Sequence, residues 1–486
     1  MRKTDGREFW EDIVQLTGAA GHQSVPSLRV ALLVLLRCKD SPPFLRELHS
    51  ALSAAYSLLP RRKTPLSHAV HGKMLFCFPH RSPSNINNLL PVAREADRRG
   101  LLGGIVLSDD CSGELAEFRN RIPMITMGAL IAQLGISEKF KIAMETISVF
   151  RDVSSALSRY DAALARRFYR NAGRALREIV RCLQMAPSFW NLLGLWSPSC
   201  VVSTSDLWPA EYQLAYQASR KDIPSVVIQH GNTIHYYWPF VADLWVMWGQ
   251  QSYQEMLDLG APASRLAIGG MPALDSIFTR GPIADVSCAK RGHACCVILS
   301  QTHGRVVDPE LFSSYRKFLS ELVPIVPNVR WKVKLHPSED QSFYDQLNPE
   351  VRRRLEFYPP AVTLDSALVG ADVAMTLTST SGLDAMARGV PVIVPVVAES
   401  MLQPGVQARL HGAILVRTPE EFRRECERLN SDITHRVEQI TEQRKAVNLY
   451  FANQGYAGAA IMDLLDIKLN LNKQNTHSLR EMAAAR

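Results

Sequence analysis

The chain has 486 residues and 47% hydrophobic content, enough for two or three domains with sizeable cores, which excludes a disordered chain. Its formal net charge of +8 points to anionic company: a nucleotide, an acidic glycan or an anionic lipid surface. Zinc-finger spacing, an RNP pattern and a continuous basic arm are all missing, so nucleic acid is not expected among the partners.

The nine cysteines are scattered and form no C-x-x-C. Cys295 and Cys296 adjoin in a predicted strand, where successive side chains take opposite faces, so neither a shared metal nor a bridge is implied. Reduced, buried thiols are expected, which favours the cytoplasm. The opening MRKTDGREFWED lacks the apolar core of a leader. The longest early apolar run, Val30 to Leu36, falls far short of the roughly 20 residues of a span, so any membrane association would be peripheral.

Residues 1–72 read as a helical extension. Ser27 to Arg37 and Phe44 to Leu59 carry helical periodicity around Ser41-Pro42-Pro43, and Arg61-Arg62-Lys63 follow as a solvated turn or a lipid contact. A first Rossmann-like domain is expected over 73–278. Met74 to Phe78 is a predicted strand, Ser84 to Arg99 a helix and Gly104 to Ser108 the next strand. That strand ends in Asp109 and Asp110. The pair reads as a general base whose pKa is raised by its like-charged neighbour, or as turn and cap residues before Leu115.

The stretch 137–195 is a predicted helical insertion rich in arginine: Arg166, Arg167, Arg170, Arg174, Arg177 and Arg181. Their spacing gathers charge on one side of a helix, as a solvated face or as a contact for an acidic acceptor or an anionic leaflet. From Ser199 the α/β rhythm resumes with a strand at Cys200 to Ser203, a helix at Trp208 to Arg220 and a strand at Pro224 to Gln229. Strands at Asp243 to Met247 and Leu266 to Ile268 complete the half. His230 follows the third strand at its carboxyl edge. A neutral imidazole there suits acceptance of a hydroxyl proton, and the alternative is a packed neighbour of Tyr236, Tyr237 and Trp238.

A linker at Thr279 to Arg291, rich in Gly, Pro and charge, leads to a second Rossmann-like domain over 292–431. Ala294 to Leu299 is its first strand, and Ser300, Gln301 and Thr302 in the following turn are candidate phosphate or base contacts. No G-x-G-x-x-G occurs there, so that dinucleotide fingerprint is not supported. The strand Val329 to Leu335 carries Lys334 and ends in His336 and Pro337, again at the edge where open α/β sheets bind ligands. Ala371 to Leu377 is a buried strand followed by Thr378, Ser379, Thr380, Ser381 and Gly382. These hydroxyls open a helix closed by Gly389 and Pro391. A helix N-terminus lined with hydroxyls welcomes a phosphate, while Ser381 and Asp384 also fit a plain capping box. From Asp432 the chain reads as helical, with 432–471 packing back on the first domain and a polar tail over 472–486.

The pair VKLHP and TSTSGLDAMARGVPVI resembles the HP and serine/threonine motifs of GT-B glycosyltransferases and related transferases. These include bacterial sialyltransferases, capsule-type Kdo transferases and CDP-glycerol glycerophosphotransferases. The resemblance covers about Ser199 to Val397 and implies that His336 and the hydroxyls hold a nucleotide's phosphates, with Asp384 near the ribose. Asp384 stands where Glu is usual, one methylene shorter. Gln229-His230-Gly231-Asn232 is similar to the strand-end H-G of glycerophosphotransferase-like enzymes, whose His is proposed to take the acceptor's proton. Asp109-Asp110 faintly resembles the acidic D/E-D/E-G motif, with Cys111 in place of Gly. Gly270-Met271-Pro272-Ala273-Leu274-Asp275 resembles the G-x-P-x-x-D of the domain crossing.

The expectation is therefore an α/β chain of GT-B architecture, with two Rossmann-like domains and an interdomain cleft. It would move a sugar from a CMP-, CDP- or UDP-linked donor to a glycan or glycolipid acceptor in surface or capsule polysaccharide biosynthesis. His230, Asp110 and Asp109 are the candidate bases, and His336 with the hydroxyls stabilises the departing phosphate. No metal and no cofactor beyond the nucleotide donor are expected, and peripheral contact with an anionic membrane is. Three alternatives stay open: a CDP-glycerol-type polyol-phosphate transferase, a non-catalytic partner protein with a degenerate fold, and an isomerase like UDP-GlcNAc 2-epimerase, although those enzymes usually show H-x-N-P where this chain has His336-Pro337.

Overall fold

A computed structural model describes residues 44–59, 71–111, 113–160, 162–233, 237–281, 294–301, 309–336, 339–359, 361–402 and 412–468. The helix expected at Ser27 to Arg37, the triplet Arg61-Arg62-Lys63, most of the linker at Thr279 to Arg291, Thr302, His303, Pro337 and the tail from Asn472 lie outside the described residues. So do Cys38 and Cys288. Among the described cysteines, Cys77, Cys111, Cys182, Cys200, Cys296 and Cys426 are buried free thiols, and Cys295 is half-buried.

The chain divides into two units, one running to Trp248 and taking in Ser252–Ala273 and the chain from Tyr456, the other built mainly on Leu274–Gly455. The first holds seven parallel strands: β1 (Met74–Phe78), β2 (Leu102–Leu107), β3 (Met124–Thr126), β4 (Cys200–Ser203), β5 (Ser225–Ile228), β6 (Leu244–Met247) and β7 (Leu266–Ile268). Their order is β3-β2-β1-β4-β5-β6-β7, with every neighbouring pair parallel. This is the doubly wound Rossmann arrangement, which reverses direction between β1 and β4.

Strands such as MLFCF and SVVI are buried at every position because both sheet faces are covered. The helices concerned are α1 (Phe44–Ser57), α2 (Pro83–Arg98), α3 (Met127–Ala132), α4 (Ile136–Tyr160), α5 (Ala162–Arg170), α6 (Ala172–Trp196) and α7 (Pro209–Ser219). Within β1, Phe76 and Phe78 join a core with Leu89 and Val92 of α2, whereas Leu75 and Cys77 point to Phe189 and Trp196 of α6 and Leu214 of α7. Gly104 in β2 makes the second contact close: a Cβ there would stand 2.5 Å from the Trp196 ring.

The stretch 137–195, expected as one helical insertion, divides into α4, α5 and α6. A helix over 457–468 completes the first unit, with Ile461, Met462 and Leu465 buried in the same core as Phe76 and Leu89. Arg99 at the end of α2 holds Asp463 at 2.7 Å and Asp466 at 3.2 Å.

The second unit has six parallel strands: β8 (Ala294–Leu299), β9 (Val329–Lys334), β10 (Leu355–Phe357), β11 (Val373–Met375), β12 (Val392–Pro395) and β13 (Ile414–Val416). Their order, β10-β9-β8-β11-β12-β13, is again doubly wound, with the reversal between β8 and β11. Among its helices are α8 (Pro309–Ile325), α9 (Thr380–Ala387), α10 (Pro419–Ser431) and α11 (Ile433–Tyr450). On one face Trp331 of β9 packs on Phe422 of α10, ring centroids 5.7 Å apart. Gln443 of α11 hydrogen-bonds both backbone groups of Val392 in β12. The helical stretch from Asp432 is thus two elements: α11, capped by Asp432, in the second unit, and 457–468 in the first.

Candidate active site

In the second unit Gln301 and Thr378 come together at the crevice where the sheet reverses, and His336 stands one strand away at the same edge. Gln301 follows β8, and Thr378 follows β11. The Gln301 carboxamide oxygen accepts the Thr378 N–H at 3.1 Å and its hydroxyl at 3.4 Å, which ties the two strand ends together. Helix α9 then begins, with Ser379 as its N-cap: the Ser379 hydroxyl accepts the Ser381 N–H at 3.3 Å and the Ser381 hydroxyl at 2.8 Å. The capping box expected from Ser381 and Asp384 is therefore not the one used. Thr378, Ser379, Thr380 and Ser381 are all half-buried rather than covered by apolar groups. Gly382 lets the helix lie close, since a Cβ there would stand 2.9 Å from Thr376 Cγ2.

Asp384 lies further along α9. Burial pushes its carboxyl up to about 6 against the opposing pull of Arg388, and Oδ1 has no hydrogen-bond partner. Arg388 itself bonds the Asp384 carbonyl and the Asp365 carboxylate, both at 2.7 Å.

His336 stands at the end of β9 on the other side of β8. Burial lowers its pKa, opposed by the Glu339 carboxylate, so the ring is neutral at pH 7. Glu339 accepts the His336 N–H at 3.1 Å and the Ser300 hydroxyl at 2.8 Å, and Ser300 in turn accepts from Tyr344 at 2.8 Å. Ser300 thus has no donor left for a phosphate and acts as a brace beneath the turn. Lys334 donates to the Leu335 carbonyl at 3.2 Å, and burial lowers the pKa of its ammonium. A pocket of about 580 Å³ lined by Cys295, Arg330, Lys332 and Asp372 opens at the amino-terminal end of this sheet, opposite the edge that carries these groups.

In the first unit the predicted residues do not gather on one spot. Asp109 and Asp110 follow β2 and His230 follows β5, with β1 and β4 between them, a separation of about 14 Å at the usual strand spacing. Asp109 and Asp110 are exposed. The Ser108 hydroxyl donates to Asp110 and, with Arg81 nearby, lowers its pKa rather than raising it, so Asp110 is not poised as a base. The Asp109 carboxylate lies against Gly128 of α3, where a Cβ would come within 2.7 Å.

His230 is held more tightly. Its Nδ1 lies 2.6 Å from the Thr204 carbonyl, which can only accept, so Nδ1 carries the proton and Nε2 keeps its lone pair. Burial lowers its pKa to about 4. Tyr237 packs beside it with ring centroids 6.3 Å apart, one of the three neighbours expected as the alternative, and Tyr236 lies outside the described residues.

Three residues at the reversal point of this sheet escape sequence reasoning. His80 follows β1, Thr204 follows β4, and Glu211 lies in the first turn of α7. His80 Nε2 is 3.6 Å from Glu211 Oε2, and Glu211 is fully buried. The signal for His80 was legible, an imidazole two residues past a strand, as in β5. The burial of Glu211 was not, because an acidic residue behind a helix-opening proline reads as an ordinary surface charge.

No protein-family model and no curated protein matches the chain. Solved structures do match. MnaA of S. aureus, in a structure with UDP, aligns at a TM-score of 0.50 and 14% identity, over 82% of this chain and 97% of its own. UDP-GlcNAc 2-epimerase from Neisseria meningitidis, bound to UDP-GlcNAc, aligns at 0.49 and 13% identity, over 81% and 99%. The calicheamicin glycosyltransferase CalG4 aligns at 0.45 and 14% identity, over 83% and 99%. At these identities the likeness is one of fold, and with two doubly wound parallel sheets the chain has the two Rossmann-like domains of the GT-B class.

Proposed function

We propose that this protein is a glycosyltransferase that moves a sugar from a nucleotide-activated donor to a glycan or glycolipid acceptor. The observation that carries the reading is the β8/β11 crevice. There a tied pair of strand ends and a hydroxyl-lined helix N-terminus lie at the reversal point of a doubly wound sheet, with a neutral imidazole at the end of the neighbouring strand β9. Such an edge supplies hydrogen-bond donors and a positive dipole end to a phosphate. His336, Thr378, Ser379, Thr380 and Ser381 would stabilise charge building on the departing phosphate, and Asp384 would face the ribose.

Titrating the full chain with UDP, CDP and CMP tests this reading, with UDP first because the S. aureus fold neighbour was solved with it. One nucleotide should bind saturably, and binding by none removes the reading. CDP preference would turn it toward polyol-phosphate transfer. With the matching donor and acceptor, His336→Ala should lower turnover roughly 10²- to 10³-fold while thermal unfolding stays nearly unchanged. Interconversion of UDP-GlcNAc without any acceptor would instead identify an epimerase.

A glycolipid acceptor places the chain at a membrane surface, and α4 offers a means. Ile136, Phe140, Met144 and Ile147 form an exposed apolar line along it, and the exposed Arg151 continues the line. Arg166 and Arg170 of α5 are exposed as well. An apolar stripe flanked by cations suits the headgroup layer of an anionic bilayer. Among the described residues no helix is long and apolar enough to cross a membrane.

A further inference from the structure

The pocket at the amino-terminal end of the second unit's sheet is separated from the nucleotide crevice by the length of β8, about 17 Å at the usual rise per residue. It encloses about 580 Å³, with apolar walls at Pro327 and Val369 beside Cys295, Arg330, Lys332 and Asp372. Strand register explains why these polar groups gather. Cys295 pairs with Arg330, and Cys296 pairs with both Trp331 and Val373, which sets Asp372, one residue before β11, level with Cys295. Side chains alternate along a strand, so Cys295, Arg330, Lys332 and Asp372 share one face, while Trp331 points the other way, onto Phe422.

The charges on that face are unevenly matched. Arg330 binds Glu356 through two nitrogens, at 3.1 and 3.0 Å, so its charge is already met. Lys332 makes no ion pair among the described residues, and its ammonium stands 5.0 Å from the centroid of the Tyr358 ring. Asp372 is only 3% exposed. Its Oδ2 accepts the Cys295 N–H at 2.7 Å, and its buried Oδ1 has no hydrogen-bond partner. A buried carboxylate oxygen that meets neither donor nor cation is rare in folded proteins. Lys332 lines the same pocket yet does not supply the missing cation. Strands β9 and β11 lie on either side of β8, about 10 Å apart at the usual spacing, and Lys332 is two residues further along than Arg330. The sheet thus holds a positive and a negative group apart across a cavity, with Cys295 on the strand between them.

We propose that this pocket binds a small zwitterion, its ammonium on Asp372 Oδ1 and its phosphate or carboxylate on Lys332. An anion alone meets the Asp372 carboxylate, and a cation alone meets Lys332 and Arg330, so a molecule carrying both charges satisfies the site best. The span between the strands favours charges set several bonds apart, as in an amino sugar phosphate or an ω-amino acid, over the adjoining charges of an α-amino acid. The site does not depend on the transferase reading, since it lies at the opposite sheet edge and its occupancy is measured without turnover.

The test uses the full chain. Alkylation of Cys295 by iodoacetamide, mapped by peptide mass spectrometry, reports occupancy, because this thiol lines the pocket and is half-buried where the other described cysteines are buried. D-Glucosamine 6-phosphate at about ten times its dissociation constant should slow that alkylation about tenfold. Glucosamine and glucose 6-phosphate, each carrying one of the two charges, should at the same concentration slow it by less than about twofold. Equal protection by 4-aminobutyrate supports the site and assigns it to amino acids rather than sugars. Asp372→Asn keeps an acceptor for the Cys295 N–H and removes the negative charge, and Lys332→Gln removes the positive one. Each should weaken binding of the zwitterion about tenfold or more in calorimetric titration, with thermal unfolding and UDP binding nearly unchanged. If Asp372→Asn does not fold, Lys332→Gln decides alone, since that side chain is half-exposed. Cys295 labelling that no zwitterion slows, or equal affinity in wild type and Lys332→Gln, overturns the proposal. So does equal protection by glucose 6-phosphate, which would make the pocket a plain anion site. A chain that binds no nucleotide but passes these tests removes the transferase reading and keeps this one.

Discussion

Burial acts on His230 and Asp384 with opposite consequences for pH. His230 has its pKa lowered to about 4, so between there and the ordinary value near 6.5 the unfolded chain binds more protons, and stability rises with pH across that window. Asp384 is raised to about 6, so the native state binds more protons between the ordinary carboxylate range and pH 6, and stability falls as pH rises through it. Asp384→Asn should therefore stabilise the protein at pH 7 by about 1–3 kcal/mol, and by less at pH 5, in urea unfolding. A nucleotide affinity that falls in the same variant would show that this cost is retained for binding. The placement of His336, Thr378 and Ser379 at one sheet edge was legible in the sequence, because strand ends and helix starts are local signals. The role of Ser300 was not: its hydroxyl is engaged by Glu339 and Tyr344, partners 39 and 44 residues away. Nor could sequence distinguish Asp110 from a base, since a single hydroxyl at Ser108 sets the direction of its shift.

Helix α4 carries apolar residues on two sides, and the two differ in what they meet. Ile142, Val153 and Leu157 are buried, whereas Ile136, Phe140, Met144 and Ile147 are each more than half exposed. At 100° per residue these four and Arg151 fall within one narrow arc. Replacing Phe140 and Ile147 together by Ser should weaken sedimentation with phosphatidylglycerol vesicles several-fold without lowering the unfolding temperature. Equal sedimentation with phosphatidylcholine would contradict a role for the flanking cations. The strands show which elements sequence can reveal. β1, β7 and β8 begin and end where their apolar runs do, so their bounds read as unbroken hydrophobic segments. β3, β10 and β13, three residues each, were missed. All three lie at sheet edges and are too short to show alternation.

Both sheets share a reversal at their first strand, and polar side chains lie beside it in each, His80 and Glu211 in one unit and Gln301 with Thr378 in the other. The doubly wound class was legible from alternating strand and helix patterns. The helix over 457–468 was expected as the end of one helical stretch from Asp432 that packs back on the first domain; only this last part does so, its apolar residues finding partners in β1 and α2 more than 350 positions earlier in the chain. A chain stopped after residue 455 should therefore lose the cooperative unfolding of the first unit in calorimetry, while the second retains its own transition.

That same helix sets the timing of synthesis. The first unit's sheet emerges from the ribosome well before the residues that complete its core, so the side of it that receives Ile461, Met462 and Leu465 stays uncovered while the whole second unit is being made. Until then a greasy, unfinished surface stands open to a chaperone, and the first unit becomes native only after the second has been synthesised.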